Sequence, residues 1–335
     1  MSATIPEMMQ AVLLEGDGGP LSLRQIPVPK PGAGEVLLRM AASPINPSDL
    51  AFVAGVSGYM RTLPAVPGNE GSGTVVASGS GLLARLLLGR RVACGRSSIR
   101  DGAWAEYMMT SASQCIPLQK NVSLEQGAML IVNPMTAVIF LEIIRQGKHK
   151  AVVNTAAASQ LGQMLLRLSL KYQFPLINIV RREDQVEPLR SMGARYVLVS
   201  SDPDFDQKLD SLTHALNATL ILDAVGGELT QRLIDASPKG SLIMLYSNLS
   251  LEPVKISPNS LWRYDRRVEG FFLGTWAGKN SVLKMLSVAL QAQRLLSTDL
   301  KPMIQRRVPL ASAQEALEIY YKNMSAGKVL FVINP

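Results

Sequence analysis

Histidine and cysteine are nearly absent from these 335 residues: there are two of each, His149 and His214, Cys94 and Cys115. Two thiols cannot build a four-thiolate zinc lobe. Neither histidine has a cysteine or a cluster of carboxylates beside it in sequence, so no metal-ligand set can be assembled, and both read as structural or solvated. So little cysteine in so long a chain also points to a reducing compartment. Lys and Arg give a net charge of +8 but never run five or six together, and aromatics make up only 5%. The densest basic groups are the doublets Arg90–Arg91, Arg181–Arg182, Arg266–Arg267 and Arg306–Arg307. That pattern lacks the footprint of a nucleic-acid binder. Long apolar runs are missing too. Leu82–Leu88 is broken by Arg85 and is too short to span a bilayer. Met1–Glu7 has neither the basic nor the apolar stretch of a signal peptide. A soluble, cytoplasmic protein with no nucleic-acid and no membrane partner is expected.

What is present fits an ordinary globular protein of two domains, 47% hydrophobic and 18% charged. Up to about residue 120 the chain is β-rich. Ala11–Leu14, Glu35–Met40, Gly73–Ala77, Gly89–Ala93 and Ala103–Tyr107 read as short strands between Gly and Pro punctuation. From Ser123 the pattern changes. Ser123-x-x-Gln126 is a capping box, and strands then alternate with helices: Ala151–Asn154, Leu176–Val180, Tyr196–Val199, Leu220–Asp223 and Leu242–Leu245. The helix after the first of these carries Leu161, Met164, Leu165 and Leu168 at helical spacing. Alternation of this kind predicts a parallel sheet covered on both faces. A helix over Val282–Leu295, a helix capped by Ser312 and a last strand at Lys328–Ile333 complete the expected order.

Two segments suit a dinucleotide. The turn Ala156–Ala157–Ala158–Ser159–Gln160–Leu161–Gly162 lies between a strand and an amphipathic helix. Small residues there let the backbone approach a pyrophosphate at the helix N-terminus. About 20 residues on, where an acidic residue would hold the ribose hydroxyls of NAD, stand Arg181 and Arg182. Guanidinium groups grip a 2′-phosphate in a bidentate fork, which favours NADPH. Glu183 follows at once and leaves NAD open.

Five segments recur in order along essentially the whole chain: Asn46–Pro47–Ser48–Asp49, Leu63–Gly71, Val132–Ala137, Asp223–Gly227 and Ala326–Val329. Together they resemble the medium-chain dehydrogenase/reductase superfamily, and within it the zinc-free quinone oxidoreductases and their 2-enoyl thioester reductase branch. Many superfamily members bind a catalytic zinc through a Cys and a His near here. In this chain the His place holds Asn69, and Asn46–Asp49 contains no thiol, so the resemblance implies a metal-independent member. It also implies that Asn46 lies beside the nicotinamide and the substrate, and that Thr136 supports the nicotinamide ring. Tyr246, Phe271, Phe272, Leu273 and Lys328 join Ala157–Gly162, Arg181 and Arg182 on the cofactor side. Tyr59, Asn69 and Trp276 line the substrate side, within a stretch Phe271–Trp276 that equally suits a strand at a dimer edge. One departure stands out. The branch places a tyrosine six residues before its Leu-Pro-Ala-Val motif, for proton delivery or substrate orientation; counting back from Leu63 gives Ser57, with Tyr59 two residues later.

The expected architecture is α/β: a GroES-like β-rich catalytic domain (1–122 and 297–335) with a Rossmann doubly wound parallel sheet inserted (123–296) and NADPH between them. The expected activity is zinc-independent transfer of hydride from NADPH to a quinone or an α,β-unsaturated carbonyl, with Asn46, Ser57 and Tyr59 as catalytic candidates and no metal. Two alternatives stay open: a trans-2-enoyl thioester reductase acting on a coenzyme A or acyl-carrier substrate, and an NADPH-binding protein with a crystallin-like or interaction role. A homodimer through the sheet edge near Val268–Leu273 is the default assembly.

Overall fold

The computed structural model describes residues 5–56, 62–97 and 101–334. The chain divides into two compact units, Met1–Met135 with Ala289–Pro335, and Thr136–Val288. The first unit begins with a hairpin-like pair, β1 (Met8–Leu14) and β2 (Leu21–Pro27), followed by β3 (Glu35–Pro44), α1 (Pro47–Val53), β4 (Glu70–Ser78), α2 (Leu82–Leu87), β5 (Arg91–Gly95), β6 (Tyr107–Ser111), β7 (Cys115–Pro117) and α3 (Leu124–Ala128). The second unit runs through α4 (Thr136–Gln146), β8 (Ala151–Asn154), α5 (Gln160–Tyr172), β9 (Leu176–Val180), α6 (Val186–Ser191), β10 (Tyr196–Val199), α7 (Phe205–Leu216), β11 (Ala218–Asp223), α8 (Gly227–Asp235), β12 (Leu242–Leu245), α9 (Pro258–Trp262), β13 (Arg267–Gly270) and α10 (Leu273–Lys279). The division falls within α11 (Val282–Leu295), after which β14 (Ile304–Val308), α12 (Ala313–Lys322) and β15 (Lys328–Val332) return to the first unit.

The GroES-like sheet of the first unit has the order β14-β15-β3-β4-β5-β7, with β6 also on β3. Its organiser is β3. One edge pairs with β4, while the other takes β6 along Glu35–Arg39 and β15 along Ala42–Pro44. Val36, Leu38 and Met40 alternate into a core with Val75, Val92 and Met108, as the period of two requires. A second core gathers Ile45, Phe52, Trp104, Val329 and Phe331.

The second unit is the doubly wound sheet. All six strands are parallel, in the order β10-β9-β8-β11-β12-β13. The order reverses between β8 and β11, and the crevice beyond the C-terminal ends of strands at such a point is where open parallel sheets bind ligands. Leu161, Met164, Leu165 and Leu168 are buried along α5.

Several local expectations need revision. Residues 103–106 are not a regular strand; Ala105 bridges to Ala11, and the strand begins at Tyr107. The capping box at Ser123 forms, with the hydroxyl accepting the Gln126 N–H at 3.2 Å, but its helix lasts five residues before a wider π-type turn at Ile131–Met135. Ser312 precedes α12 without a side-chain cap; Glu315 pairs instead with Arg306 at 3.3 Å. Phe271–Trp276 is no strand, because α10 starts at Leu273. The two compact units divide at residues 135/136 and 288/289. The short α3 packs on β3, β4 and β5, and the Gln293 carboxamide accepts the Gln119 N–H at 2.8 Å.

Candidate functional site

In the first unit the chemistry gathers where β3, α1, β4 and β15 meet. Pro47 sits at the first position of α1, where its missing N–H costs nothing, and Asn46 precedes it as the N-cap. Asp49 closes that turn: one carboxylate oxygen accepts the Asn46 backbone N–H at 2.8 Å. Its other oxygen accepts both the backbone N–H and the side-chain amide of Asn69, each at 2.8 Å. Asn69 also donates to the Ser48 hydroxyl at 3.1 Å. Glu70, the first residue of β4, accepts the Asn46 side-chain N–H at 3.0 Å. Its second oxygen takes the N–H groups of Ile131 and Val132 at 3.0 and 2.9 Å. Lys328, the first residue of β15, donates to the Asn46 side-chain oxygen and, at 3.3 Å, to the Ile45 carbonyl. Its ammonium lies 5.8 Å from the centre of the Tyr320 ring.

None of Asn46, Asp49, Glu70 and Lys328 is more than 2% exposed. Burial disfavours each charged form. It pushes the Glu70 carboxyl up to about 7 against the opposing pull of Lys328, pushes Asp49 up to about 6, and draws Lys328 down to about 8. Asn46 is the hinge of the group, with one end of its amide on the carboxylate and the other on the ammonium. Ser57 and Tyr59 lie outside the described residues.

The second unit builds a phosphate-sized turn between β8 and α5. Ala156 takes a positive φ of 48°, the conformation a glycine usually supplies. The Ala157 N–H donates to the Ile179 carbonyl at 3.0 Å, which fastens the turn to β9. Ser159 caps α5, its hydroxyl accepting the Gly162 N–H at 3.1 Å. A side chain at Gly162 would run into the backbone of Ala157, so this glycine sets how closely helix and turn approach. Ala157, Gln160 and Leu161 are buried, while Ala158 and Ser159 are half-exposed. Arg181 and Arg182 follow β9 directly and are both exposed; Arg182 pairs with Asp184 at 3.0 Å. A small-residue turn, a capped helix and two arginines at the neighbouring strand end fit a dinucleotide with a 2′-phosphate.

Next to this turn, Asp223 at the end of β11 is fully buried. It accepts the Thr155 hydroxyl at 2.8 Å and the Thr230 hydroxyl at 2.7 Å. Its backbone carbonyl receives the Tyr246 N–H at 2.9 Å. The Tyr246 hydroxyl is buried without a hydrogen-bond partner among the described residues, and burial pushes its pKa up, which makes it a weaker acid. Phe140 packs edge-on against Tyr246 and Phe271, at 5.2 and 4.9 Å between ring centres. Thr136 is buried at the start of α4. Leu273 and Trp276 are half-buried on α10 beside the exposed Phe272.

Residues 32–120 match the alcohol dehydrogenase GroES-like domain family, and residues 161–290 match the zinc-binding dehydrogenase family. A candidate NADPH:quinone reductase from Mesorhizobium loti is 35% identical and superposes with a TM-score of 0.91, over 98% of this chain and 100% of its own. The chain belongs to the medium-chain dehydrogenase/reductase superfamily. It falls in the quinone oxidoreductase and mitochondrial enoyl reductase-like branch. The mitochondrial enoyl-[acyl-carrier-protein] reductase of Mus musculus is 28% identical over 98% of this chain and 90% of its own. A mycobacterial protein solved in complex with NADPH shares the fold, with a TM-score of 0.81 at 24% identity over 98% of this chain and all of its own. This medium-chain reductase is therefore an NAD(P)-dependent oxidoreductase of quinone or enoyl reductase type.

A catalytic zinc does not fit the residues of this reductase. Asn46 and Asn69 offer neutral amides in place of thiolate and imidazole, and the Asn46 oxygen already faces the Lys328 ammonium. Among the described residues no group of three or more His, Cys, Asp or Glu side chains converges as a metal site.

Sequence reasoning quoted Asp49 and Glu70 within motifs but gave them no role, and it set Lys328 with the cofactor rather than with Asn46. A signal was present in the two acids flanking the amide positions. It is weak, because nothing in the spacing brings residue 328 to residue 46. Thr155 and Thr230 were missed altogether.

Proposed function

We propose that this reductase takes NADPH and reduces a quinone or an α,β-unsaturated carbonyl, without a metal. The observation that carries the cofactor choice is the exposed pair Arg181 and Arg182 at the end of β9, beside the closed turn before α5. NADPH, when bound, supplies the hydride. The chain supplies the rest. The turn Ala156–Gly162 and the capped end of α5 hold the pyrophosphate, and the arginines hold the 2′-phosphate. Thr136, Tyr246, Phe271, Phe272 and Leu273 flank the remainder of the cofactor. Asn46 serves as a positioning residue, its orientation fixed by Glu70 and Lys328, and Asn69 and Trp276 belong to the substrate side. The proton that completes an enone reduction comes from Ser57 or Tyr59, a step that a phenol performs better than an aliphatic hydroxyl. A quinone needs no such donor, since water suffices. Two copies pair through the exposed edge that carries β13 and α10.

The enoyl thioester reading is favoured by the names of the mitochondrial relatives and by how fully the chain covers them. One experiment separates the readings: oxidation of NADPH and of NADH by the purified protein, with a quinone and a short 2-enoyl thioester offered in parallel. NADPH preference with quinone turnover is the expected result. In the Arg181→Ala/Arg182→Ala variant the KM for NADPH rises at least tenfold while that for NADH stays within twofold. Thioester turnover abolished by Tyr59→Phe, with quinone turnover intact, would move the assignment to an enoyl thioester reductase. NADPH binding with no turnover on either acceptor would favour the binding-protein alternative. Equal use of NADH and NADPH, unchanged by the arginine substitutions, would defeat the cofactor assignment.

A further inference from the structure

Leu82–Leu88 is too short to cross a bilayer, and no helix among the described residues is long and apolar enough to do so. Its arrangement suits a different task. In α2, Ala84 and Leu87 turn inward and join the core that includes Val75 and Val92. The other leucines turn out: Leu82 is 76% exposed, Leu83 50%, Leu86 62%, and Leu88, just past the helix, 53%. Four leucines in the open within seven residues form a concentrated apolar patch, not the scattered exposure normal for a protein surface.

The charges beside the patch in sequence are of one sign. Between Glu70 and Asp101 the sequence contains no acidic residue, whereas Arg85, Arg90 and Arg91 fall within or just after the leucine run; Arg96, further on, sits over the Phe52 ring instead, 4.6 Å from its centre. Arg85 stands among the exposed leucines and Arg90 directly after them, both exposed. Arg91 is committed elsewhere, to the carbonyls of Gln119, Val122 and Lys120. That contact brings the exposed Lys120 to the same end of the sheet. Glu35, whose backbone carbonyl bonds Gly79, turns its carboxylate to the Gly32 N–H.

We propose that α2 and its flanking arginines form a docking surface for an anionic lipid bilayer, with Leu82, Leu83, Leu86 and Leu88 entering the boundary of the acyl chains and Arg85 and Arg90 meeting the headgroup phosphates. Apolar side chains interleaved with arginine are the composition of a segment that lies in an interface. Anionic headgroups complement the charge, and each basic residue near such a surface adds to the attraction. A second copy fits less well. A two-fold contact sets the same patch against itself, and Arg85 and Arg90 would then face their own copies. The surface belongs to the first unit alone and does not depend on which acceptor the enzyme reduces.

The test is co-sedimentation of the full-length protein with phosphatidylcholine vesicles, with and without phosphatidylserine. The wild type is expected to pellet with the anionic vesicles at low salt and to be released as salt is raised. Leu82→Ser/Leu86→Ser keeps the net charge and should weaken binding about tenfold or more, which isolates the patch from general electrostatic attraction. Arg85→Gln/Arg90→Gln should remove the preference for anionic over neutral vesicles. As a readout independent of pelleting, Leu83→Trp should shift its emission to the blue when vesicles are added. The proposal is overturned if the wild type stays in the supernatant at low salt, or if the leucine variant pellets as the wild type does. It is equally overturned if the leucine substitutions change the sedimentation coefficient of the protein while vesicles bind neither form, which would identify a second copy as the occupant.

Discussion

Lys328 is the residue on which the first site depends most. Its ammonium is buried with two carboxylates in range and an amide oxygen in contact. Removing one partner of a buried charge group leaves the others uncompensated, at a cost of about 3–5 kcal/mol. Lys328→Met should therefore lower stability by about that amount in urea titration, and Asn46 should lose its fixed orientation. Glu70 makes a prediction about pH. Its carboxyl titrates near 7 in the folded protein against 4.5 ordinarily, so the native state holds the extra proton between those values. Stability is then greatest below about 4.5 and falls as pH rises through about 7; Asp49 adds the same trend between 3.8 and about 6. Lys328 acts oppositely, its proton leaving the native state near 8 and the unfolded chain near 10.5, so stability recovers over that range. Glu70→Gln should flatten the decline between about 4.5 and 7, a difference on the order of 3 kcal/mol across the window, read from urea midpoints at each pH. An unchanged slope would mean that Glu70 does not carry it. The two thiols behave as expected of inert cysteines. They stand opposite each other across β5 and β7, yet burial pushes Cys115 up to about 12 and Cys94 well above its usual value.

At the scale of elements, the turn before α5 shows how a relaxed motif keeps a strict geometry. The sequence has alanine where dinucleotide folds often have glycine, and the chain accommodates this by holding Ala156 at a positive φ. The one position that tolerates no side chain is Gly162. Gly162→Ala should push α5 from the turn, costing about 1–3 kcal/mol, with a lower Tm and a weaker Kd for NADPH in a dye-free calorimetric titration. The parallel sheet and α5 were legible because strand runs and helical spacing are local signals. The extent of the helix after Ser123 was not, since the capping box marks a start and says nothing about the wider turn at Ile131–Met135. Phe271–Trp276 misled for a similar reason: aromatic residues suit both a strand and the first turn of a helix, and only the pairing of β13 with β12 ends the strand at Gly270. The ion group around Asn46 was out of reach because it is assembled from residues nearly 300 positions apart.

On the scale of the whole molecule, the second unit leaves an edge uncovered. β13 is the last strand of the sheet, and Trp262 on α9, Phe272 just before α10, and Val282 and Leu283 on α11 are exposed. Open edges of this kind invite pairing with another chain. If two copies pair there, the Tm should rise with protein concentration, and Phe272→Asp/Leu283→Asp should abolish that dependence and halve the mass found by sedimentation equilibrium. A concentration-independent Tm with the mass of one chain would exclude the dimer. The discontinuous first unit carries a different consequence, for biosynthesis. A ribosome releases all of Thr136–Val288 before it makes β15, the strand that completes the inner edge of β3 and brings Lys328 to Asn46. Until β15 emerges, Asp49 and Glu70 have no countercharge from Lys328, and the sheet has a gap beside Ala42–Pro44. The Rossmann unit can fold during translation, whereas the first unit has to wait for β15.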